Sequence, residues 1–143
     1  MSSSPEYSDA KIRGILQRVR TIAMVGASAN PARPSFGVMR YLQGKGYRVI
    51  PVNPGLAGRD LQGERVYAAL RDIPGPVDMV DIFRIADAVP GIVEEAIAIG
   101  AGVVWMQLGV RHDAAAARAE AAGIEVIMNR CPAIELERLG RPD

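Results

Sequence analysis

Residues 22–37 read IAMVGASANPARPSFG, and this stretch decides the fold. It opens with an apolar run that is typical of a buried strand, and the run ends at Gly26. Small residues then lead into a helical pattern that begins at Ser35. A strand that passes through such a loop into a helix can bind phosphate, because unpaired N–H groups and the helix dipole attract negative charge. We therefore expect an α/β fold with a phosphate-bearing ligand at this loop.

The loop differs from the usual dinucleotide-binding motif. That motif, G-x-G-x-x-G, requires three glycines, whereas Gly26 is followed by no further glycine before Gly37. The glycine is expected to leave room for the ligand, so that valine at this position would abolish ligand binding and leave the fold largely intact. The loop therefore predicts a nucleotide-diphosphate site that is not an ordinary NAD site.

Strand-like and helix-like segments alternate along the chain on either side of this stretch. Apolar runs predict strands at residues 21–25, 47–52, 77–83, 103–107 and 124–128. Capping residues and apolar periodicity predict a helix after Ser8 and others at residues 35–44, 68–72, 86–99, 113–122 and 133–139. Such alternation is typical of a parallel sheet covered on both faces. It predicts an α/β, Rossmann-like, doubly wound five-stranded parallel sheet in the order 3-2-1-4-5, with helices on both faces.

The composition bounds the class of protein. The 143 residues suit a single domain spanning residues 1–143, with residues 1–7 as a flexible tail. A net charge of +1 argues against nucleic acid as the main partner, and no apolar run approaches the roughly 20 residues of a membrane span. The start of the chain lacks the features of a signal peptide, and a single cysteine suits a cytoplasmic location. A protein partner or a homodimer is left open.

Ligands of doubly wound sheets bind beyond the carboxyl ends of the strands, at the switch point beside the first strand. The residues that follow each predicted strand, and those that begin the next helix, are therefore the candidates for ligand binding. They are Gly26, Ala27, Ser28, Arg33, Ser35, Val52, Asn53, Pro54, Phe83, Arg84, Gln107, Leu108, Gly109 and Cys131.

Each polar candidate near the loop has a structural alternative. Ser28 can bind a phosphate oxygen or serve in a turn, and Ser35 can bind phosphate or act as the helix N-cap. Arg33 can pair with phosphate through two N–H groups or lie on the surface. Arg84 lies where the adenosine half of a nucleotide should pass, and it can instead pair with a carboxylate of its own segment.

The end of the second predicted strand argues against NAD. A dinucleotide site usually places Asp or Glu there to hold the ribose hydroxyls, whereas this chain has Asn53-Pro54-Gly55 and no carboxylate before Asp60. The missing negative charge suits a ligand with an extra phosphate near the ribose. NADP and coenzyme A both fit, and the single loop glycine favours coenzyme A. The alternative is that these residues simply form a tight turn.

The other reactive residues are expected to be structural. Trp105 is predicted in the core, and His112, the only histidine, at a helix start. One histidine and one cysteine do not support a metal site, so we assign neither a metal nor a catalytic residue. Cys131 precedes the last helix, where the helix dipole favours a thiolate, or it is simply a small buried residue.

Several segments carry a resemblance that covers nearly the whole chain in order. They are VGAS at 25–28, RPS at 33–35, GYRVIPVNP at 46–54, PVDMVDIFR at 76–84, AIAIG at 96–100, VWMQLG at 104–109 and AGIEVIMNRC at 122–131. The sequence resembles the stand-alone CoA-binding proteins related to the nucleotide-binding domain of the succinyl-CoA synthetase α subunit. In the segment around Cys131, Arg130 stands as an insertion into that subunit's Asn-Cys-Pro turn.

The resemblance implies coenzyme A, or an acyl-CoA, as the small-molecule ligand. A non-catalytic binding protein is the leading interpretation, with the ligand held by the loop at residues 26–28. An NADP-dependent reductase and the nucleotide-binding half of a two-component acyl-CoA ligase remain as alternatives, so enzymatic activity stays open. The synthetase has a further domain that carries a phosphohistidine. Because this sequence shows no such segment, we expect no acyl-CoA ligase activity from the chain alone.

Overall fold

The computed structural model describes residues 7–140. The strands are β1 Thr21–Val25, β2 Arg48–Val52, β3 Asp60–Leu61, β4 Glu64–Arg65, β5 Met79–Ile82, β6 Val103–Met106 and β7 Glu125–Ile127. The α-helices are α1 Asp9–Arg18, α2 Pro34–Gly44, α3 Val89–Ala98, α4 Asp113–Ala121 and α5 Pro132–Leu139. Short 3-10 helices occupy Pro54–Leu56, Leu70–Asp72 and Ala86–Ala88.

Five of these strands form one parallel sheet in the order β2-β1-β5-β6-β7. The predicted class, a doubly wound α/β sheet, is confirmed. The predicted order 3-2-1-4-5 is wrong, because the third strand of the sheet lies between the first and the fourth, which gives 2-1-3-4-5. The switch point therefore lies between β1 and β5.

Pro51 gives a physical reason for this order. Proline has no N–H, so it is tolerated in a sheet mainly on an edge strand. β2 is an edge strand, and the Pro51 carbonyl accepts the Tyr67 N–H at 3.1 Å on the side away from β1. The apolar strand β5 is buried along its whole length and takes the interior position instead.

Helices cover both faces of the sheet. α3 and α4 pack on one face, over a core that includes Ala23, Ile50, Val80, Val104 and Val126. α1, α2 and α5 pack on the other face, over a core that includes Met24, Val49, Met79, Trp105 and Ile127. Within residues 7–140, no helix has the length and apolar character needed to cross a membrane.

The start of the described chain is packed against the sheet. Tyr7 is 9% exposed, and its hydroxyl accepts the Met128 N–H at 3.0 Å. The predicted tail, residues 1–7, therefore does not include Tyr7, and its other residues lie outside the described part of the chain. The sequence analysis also missed the antiparallel pair β3–β4, in which Asp60 faces Arg65.

Candidate functional site

Three adjoining pockets follow the carboxyl edge of the sheet. The loop pocket, of about 290 Å³, is lined by Gly26, Ala27, Ser28, Arg33, Pro34, Ser35, Asn53 and Phe83. The edge pocket, of about 390 Å³, is lined by Val25, Gly26, Val52, Asn53, Pro54, Ala68, Ala69, Arg84, Ile92 and Glu95. The apolar pocket, of about 480 Å³, is lined by Pro34, Phe83, Arg84, Ile85, Gln107, Leu108, Gly109 and Val110. Each pair of pockets shares at least one lining residue, so the three form one groove.

Gly26 lies at the centre of this groove, in close contact with the residues at the ends of β2 and β5. Its φ is +92°, and a Cβ built on it would lie 2.4 Å from the carbonyl oxygen of Phe83. Its N–H donates to the Val52 carbonyl at 3.0 Å. The need for glycine therefore comes from the close approach of the Phe83 backbone, just after β5, and the expectation that a side chain would only crowd the ligand is wrong. The Ala27 and Ser28 N–H groups donate no hydrogen bond within residues 7–140, so they are the donors that a ligand can use.

Consecutive turns connect Ser28 to the start of α2. The Ser28 hydroxyl oxygen accepts the Asn30 N–H at 3.0 Å, and Asn30 Oδ1 accepts the Ala32 N–H at 2.9 Å. The N-cap of α2 is Arg33, whose side chain makes no capping bond. Ser35 is buried in the first turn, so its predicted alternative role as N-cap is wrong. The uncapped helix N-terminus faces the loop pocket with its positive dipole end.

Asn53 braces the end of β2 against the loop that follows β1. Its Nδ2 donates to the Ala27 carbonyl at 2.8 Å, and its Oδ1 accepts the Gly55 N–H at 2.8 Å. The hydrogen bond to Gly55 shows that Asn53-Pro54-Gly55 forms a tight turn, which the sequence analysis gave as the alternative to a binding role. Asn53 forms part of the walls of two pockets.

The edge pocket contains a carboxylate that the sequence analysis missed. Glu95 of α3 lines this pocket, and its Oε2 lies 2.7 Å from Arg71 Nη1 in an ion pair. The pair compensates the negative charge, so the pocket differs from an NAD site, where an unpaired carboxylate binds the ribose.

Arg84 borders both the edge pocket and the apolar pocket. Its stem lies against Gly26, because its Cδ would be 3.1 Å from a Cβ there. Within the described residues Arg84 forms no ion pair with Asp81 or Asp87, which removes the predicted structural alternative. Arg33 is also exposed and without an ion pair in this part of the chain. Two unpaired guanidinium groups therefore flank the groove.

The apolar pocket exposes large hydrophobic side chains. Ile85 is 70% exposed and Leu108 is 53% exposed, although both border a concave surface. Gln107, on the same wall, is only 7% exposed, and its Oε1 is buried without a hydrogen-bond partner. Exposed apolar side chains next to a buried, unsatisfied amide are features of a site that a ligand completes.

The structure does not bring Cys131 into any of these pockets. It is 4% exposed and forms the N-cap of α5. Beside it, Trp105 Nε1 donates to the Arg130 carbonyl at 2.8 Å, which fixes this turn to the core. The predictions for Trp105 and His112 are confirmed: Trp105 is fully buried, and His112 caps α4 by accepting the Ala115 N–H on Nδ1 at 3.0 Å. Among residues 7–140 no group of acidic, histidine or cysteine side chains could hold a metal ion.

Asp81 is a buried carboxyl group that sequence reasoning did not assign to the site. It is fully buried on β5 and neither of its oxygens has a hydrogen-bond partner. Burial raises the pKa of Asp81 well above its ordinary range, because the apolar surroundings disfavour the charged form. An aspartate inside the apolar run VDMVDIF was the available signal.

The chain is similar to several known proteins. A family model described as a CoA binding domain matches residues 20–137. The protein YneT of Bacillus subtilis (strain 168) is 39% identical over 124 residues, which cover 87% of this chain and 90% of YneT. A hypothetical protein from Pyrococcus horikoshii OT3 superposes with a TM-score of 0.91 at 39% identity, covering 97% of this chain and 99% of that one.

A ligase subunit matches over a shorter segment. The acetate–CoA ligase (ADP-forming) I subunit alpha of Pyrococcus furiosus is 34% identical over 89 residues, which cover 59% of this chain. The match spans only 19% of that subunit. Taken with the family match over residues 20–137, these similarities show that the chain belongs to the CoA-binding-domain family and is related to ligase subunits that contain such a domain.

Proposed function

We propose that this chain is a non-catalytic binding protein for coenzyme A or an acyl-CoA. The observation that carries the proposal is that three adjoining pockets of different chemistry meet in one groove: a loop pocket with unpaired N–H donors, an edge pocket bordered by Arg84, and an apolar pocket. Coenzyme A has three parts of matching chemistry, because its diphosphate joins a phosphorylated adenosine to a pantetheine arm.

The diphosphate is assigned to the loop pocket. The free N–H groups of Ala27 and Ser28 and the N-terminus of α2 face the same space, and each favours an anion there. Arg33, at the N-cap, adds a guanidinium that can bind two phosphate oxygens at once. These are generic contacts to a diphosphate and do not by themselves separate coenzyme A from NAD.

The adenosine end is assigned to the edge pocket, where the discrimination arises. Small side chains at Ala68 and Ala69 leave room for a flat base beside Val52. Arg84 lies at the border of this pocket without an ion pair, so it can bind a phosphate on the ribose. The carboxylate of Glu95 is already engaged by Arg71. An anionic ribose is thus favoured over the free hydroxyls of NAD.

The pantetheine arm is assigned to the apolar pocket. It would cover Ile85 and Leu108, which otherwise expose apolar surface to water. The proposal assigns no catalytic residue, since His112 is engaged in a helix cap and Cys131 is buried away from the groove.

Calorimetric titration of the full chain with coenzyme A, dephospho-CoA, NADP and NAD at one ionic strength tests the proposal. We expect coenzyme A to bind at least about tenfold more tightly than NAD, because one charged arginine–phosphate contact contributes about 1.5–3 kcal/mol. Dephospho-CoA, which lacks the ribose phosphate, should lose most of that preference. Equal or tighter binding of NAD would refute the proposal, and tighter binding of NADP than of coenzyme A would favour the reductase alternative.

A further inference from the structure

Buried polar side-chain atoms without a hydrogen-bond partner occur on two residues in the described part of the chain. They are Asp81 Oδ1, Asp81 Oδ2 and Gln107 Oε1. Buried polar groups in proteins are nearly always hydrogen-bonded, so three unsatisfied oxygens on two residues require an explanation. All three are acceptors when the carboxyl group is ionised, and two acceptors cannot pair with each other.

The register of the sheet places these two residues on one face of neighbouring strands. Asp81 of β5 is opposite Trp105 of β6, and the ladder continues because the Gln107 N–H donates to the Ile82 carbonyl at 3.2 Å. Since side chains alternate along a strand, Gln107 projects to the same side as Trp105 and Asp81. One strand spacing of about 4.8 Å and two steps of about 3.3 Å separate the two Cα atoms by roughly 8 Å. An aspartate and a glutamine side chain that point towards each other can span that distance.

We propose that Asp81 is protonated and donates its O–H to Gln107 Oε1, and that this bond directs the Gln107 Nε2 donor into the apolar pocket to bind a carbonyl of the ligand's arm. One proton thus converts two unsatisfied acceptors into a donor–acceptor pair. Asp81 acts here as a positioning residue, because it does not line the pocket itself.

The surroundings of Asp81 favour its neutral form. Its neighbours in register are Met24 and Trp105, both fully buried in the core under α1, α2 and α5. Burial alone raises the pKa of this carboxyl. The buried carboxylate on α5, Glu135, is engaged by Arg130 at 3.3 Å and by Arg138 at 2.7 Å, so those two cations are already paired.

The pair specifies the ligand class at this end of the groove. Of the other residues that line the apolar pocket, only Arg84 has a side chain that can form a hydrogen bond. An amide N–H donor on a largely apolar wall favours an elongated apolar group that carries a carbonyl, and pantetheine has two amide carbonyls. The identity of this arm rests on the proposed function, whereas the pairing of Asp81 with Gln107 does not.

A double-variant cycle on unfolding tests the pairing without any ligand. Asp81→Val and Gln107→Met each leave the other residue's polar atom unsatisfied, whereas the double variant leaves neither. We expect the double variant to shift the denaturant midpoint by clearly less than the sum of the two single shifts. Additive shifts would overturn the proposal. Gln17→Met, on the exposed side of α1, controls for the substitution itself.

Titration with coenzyme A and with adenosine 3′,5′-bisphosphate, which has no arm, tests the role in binding. Asp81→Val and Gln107→Met should each lower the affinity for coenzyme A by about threefold to tenfold and leave the affinity for the bisphosphate unchanged. Asp81→Asn should bind like the natural chain, because the Asn amide can donate as the protonated carboxyl does. Equal losses for both ligands, or no loss for coenzyme A in folded variants, would overturn the inference. If the natural chain binds no coenzyme A, the proposed function fails while the unfolding cycle still decides the pair.

Discussion

The two ends of the sheet both carry concave surfaces, but they differ in their unused hydrogen-bonding groups. At the amino edge, a pocket of about 300 Å³ is as large as the loop pocket of about 290 Å³ at the carboxyl edge. Around the amino-edge pocket, Asp78 Oδ2 accepts the Arg20 and Thr21 N–H groups at 3.0 and 2.9 Å. Arg18 lies 2.7 Å from Glu125 in an ion pair.

At the carboxyl edge, by contrast, backbone N–H groups and an arginine side chain are left without partners. The N–H groups of Ala27 and Ser28 donate to nothing within residues 7–140, and Arg84 has no ion pair there. Pocket volume therefore does not distinguish the two edges. Unsatisfied donors and unpaired cations do, because a ligand gains most where it replaces water at groups that the fold leaves unpaired.

The largest expected difference between the two edges concerns glycine. Gly26→Ala should destabilise the fold by about 2–4 kcal/mol, because alanine is strained at positive φ and its Cβ meets the Phe83 carbonyl. The matched change at the amino edge, Gly102→Ala, places a Cβ 3.7 Å from the Asp78 carbonyl, which is an ordinary contact. It should change the stability by less than about 1 kcal/mol. Denaturant unfolding measures both, and equal losses would remove the special role of Gly26.

A second comparison concerns the two arginines. Arg84→Ala should lower the affinity for coenzyme A by about tenfold to 100-fold, since a charged contact to phosphate contributes about 1.5–3 kcal/mol. Arg18→Ala, at the amino-edge pocket, should leave the affinity unchanged. Calorimetric titration measures both, with dephospho-CoA expected to bind the natural chain about as weakly as coenzyme A binds Arg84→Ala. Similar effects of the two substitutions would mean that Arg84 makes no specific contact with the ligand.

A third test uses the pH dependence of stability. Asp81 has a folded pKa raised above its ordinary value of 3.8, so between these values the folded chain holds a proton that the unfolded chain has released. The contribution of Asp81 is therefore complete below pH 3.8 and is lost as the pH rises towards the folded pKa. Relative to Asp81→Asn, the natural chain should lose up to about 1.4 kcal/mol of unfolding free energy per pH unit in this window. Parallel pH profiles of the two proteins would contradict the buried, protonated carboxyl.

Most of the helices and strands could be predicted because their apolar positions repeat with a regular period. β1 begins and ends as predicted, and α2 begins one residue earlier than expected, at Pro34. The strand order could not be obtained from the same pattern, since periodicity says which residues are buried and nothing about neighbours. Pro51 was the available signal, because a residue without an N–H favours an edge strand.

The candidate site was predictable to the extent that it depends on chain position. Residues after parallel strands meet at one edge, and the structure places the predicted ones around the groove, except Cys131. Cys131 also follows a strand, but its side chain is buried at the start of α5. Whether such a side chain faces the groove or the core depends on packing that the local sequence does not encode. Glu95 was missed for the same reason, since it reaches the edge pocket from the middle of α3.

The sequence by itself determined the α/β class, the strand–loop–helix segment at Gly26 and the edge of the sheet at which the candidate residues meet. These follow from local rules, because the period of apolar residues and the presence of glycine act within a few positions. Only the tertiary structure decided that Gly26 is required by the Phe83 carbonyl, and that Asn53 is a brace. It also brought Asp81 and Gln107 to one face of the sheet. The physical reason is that a close approach or a missing hydrogen-bond partner involves residues far apart in the chain.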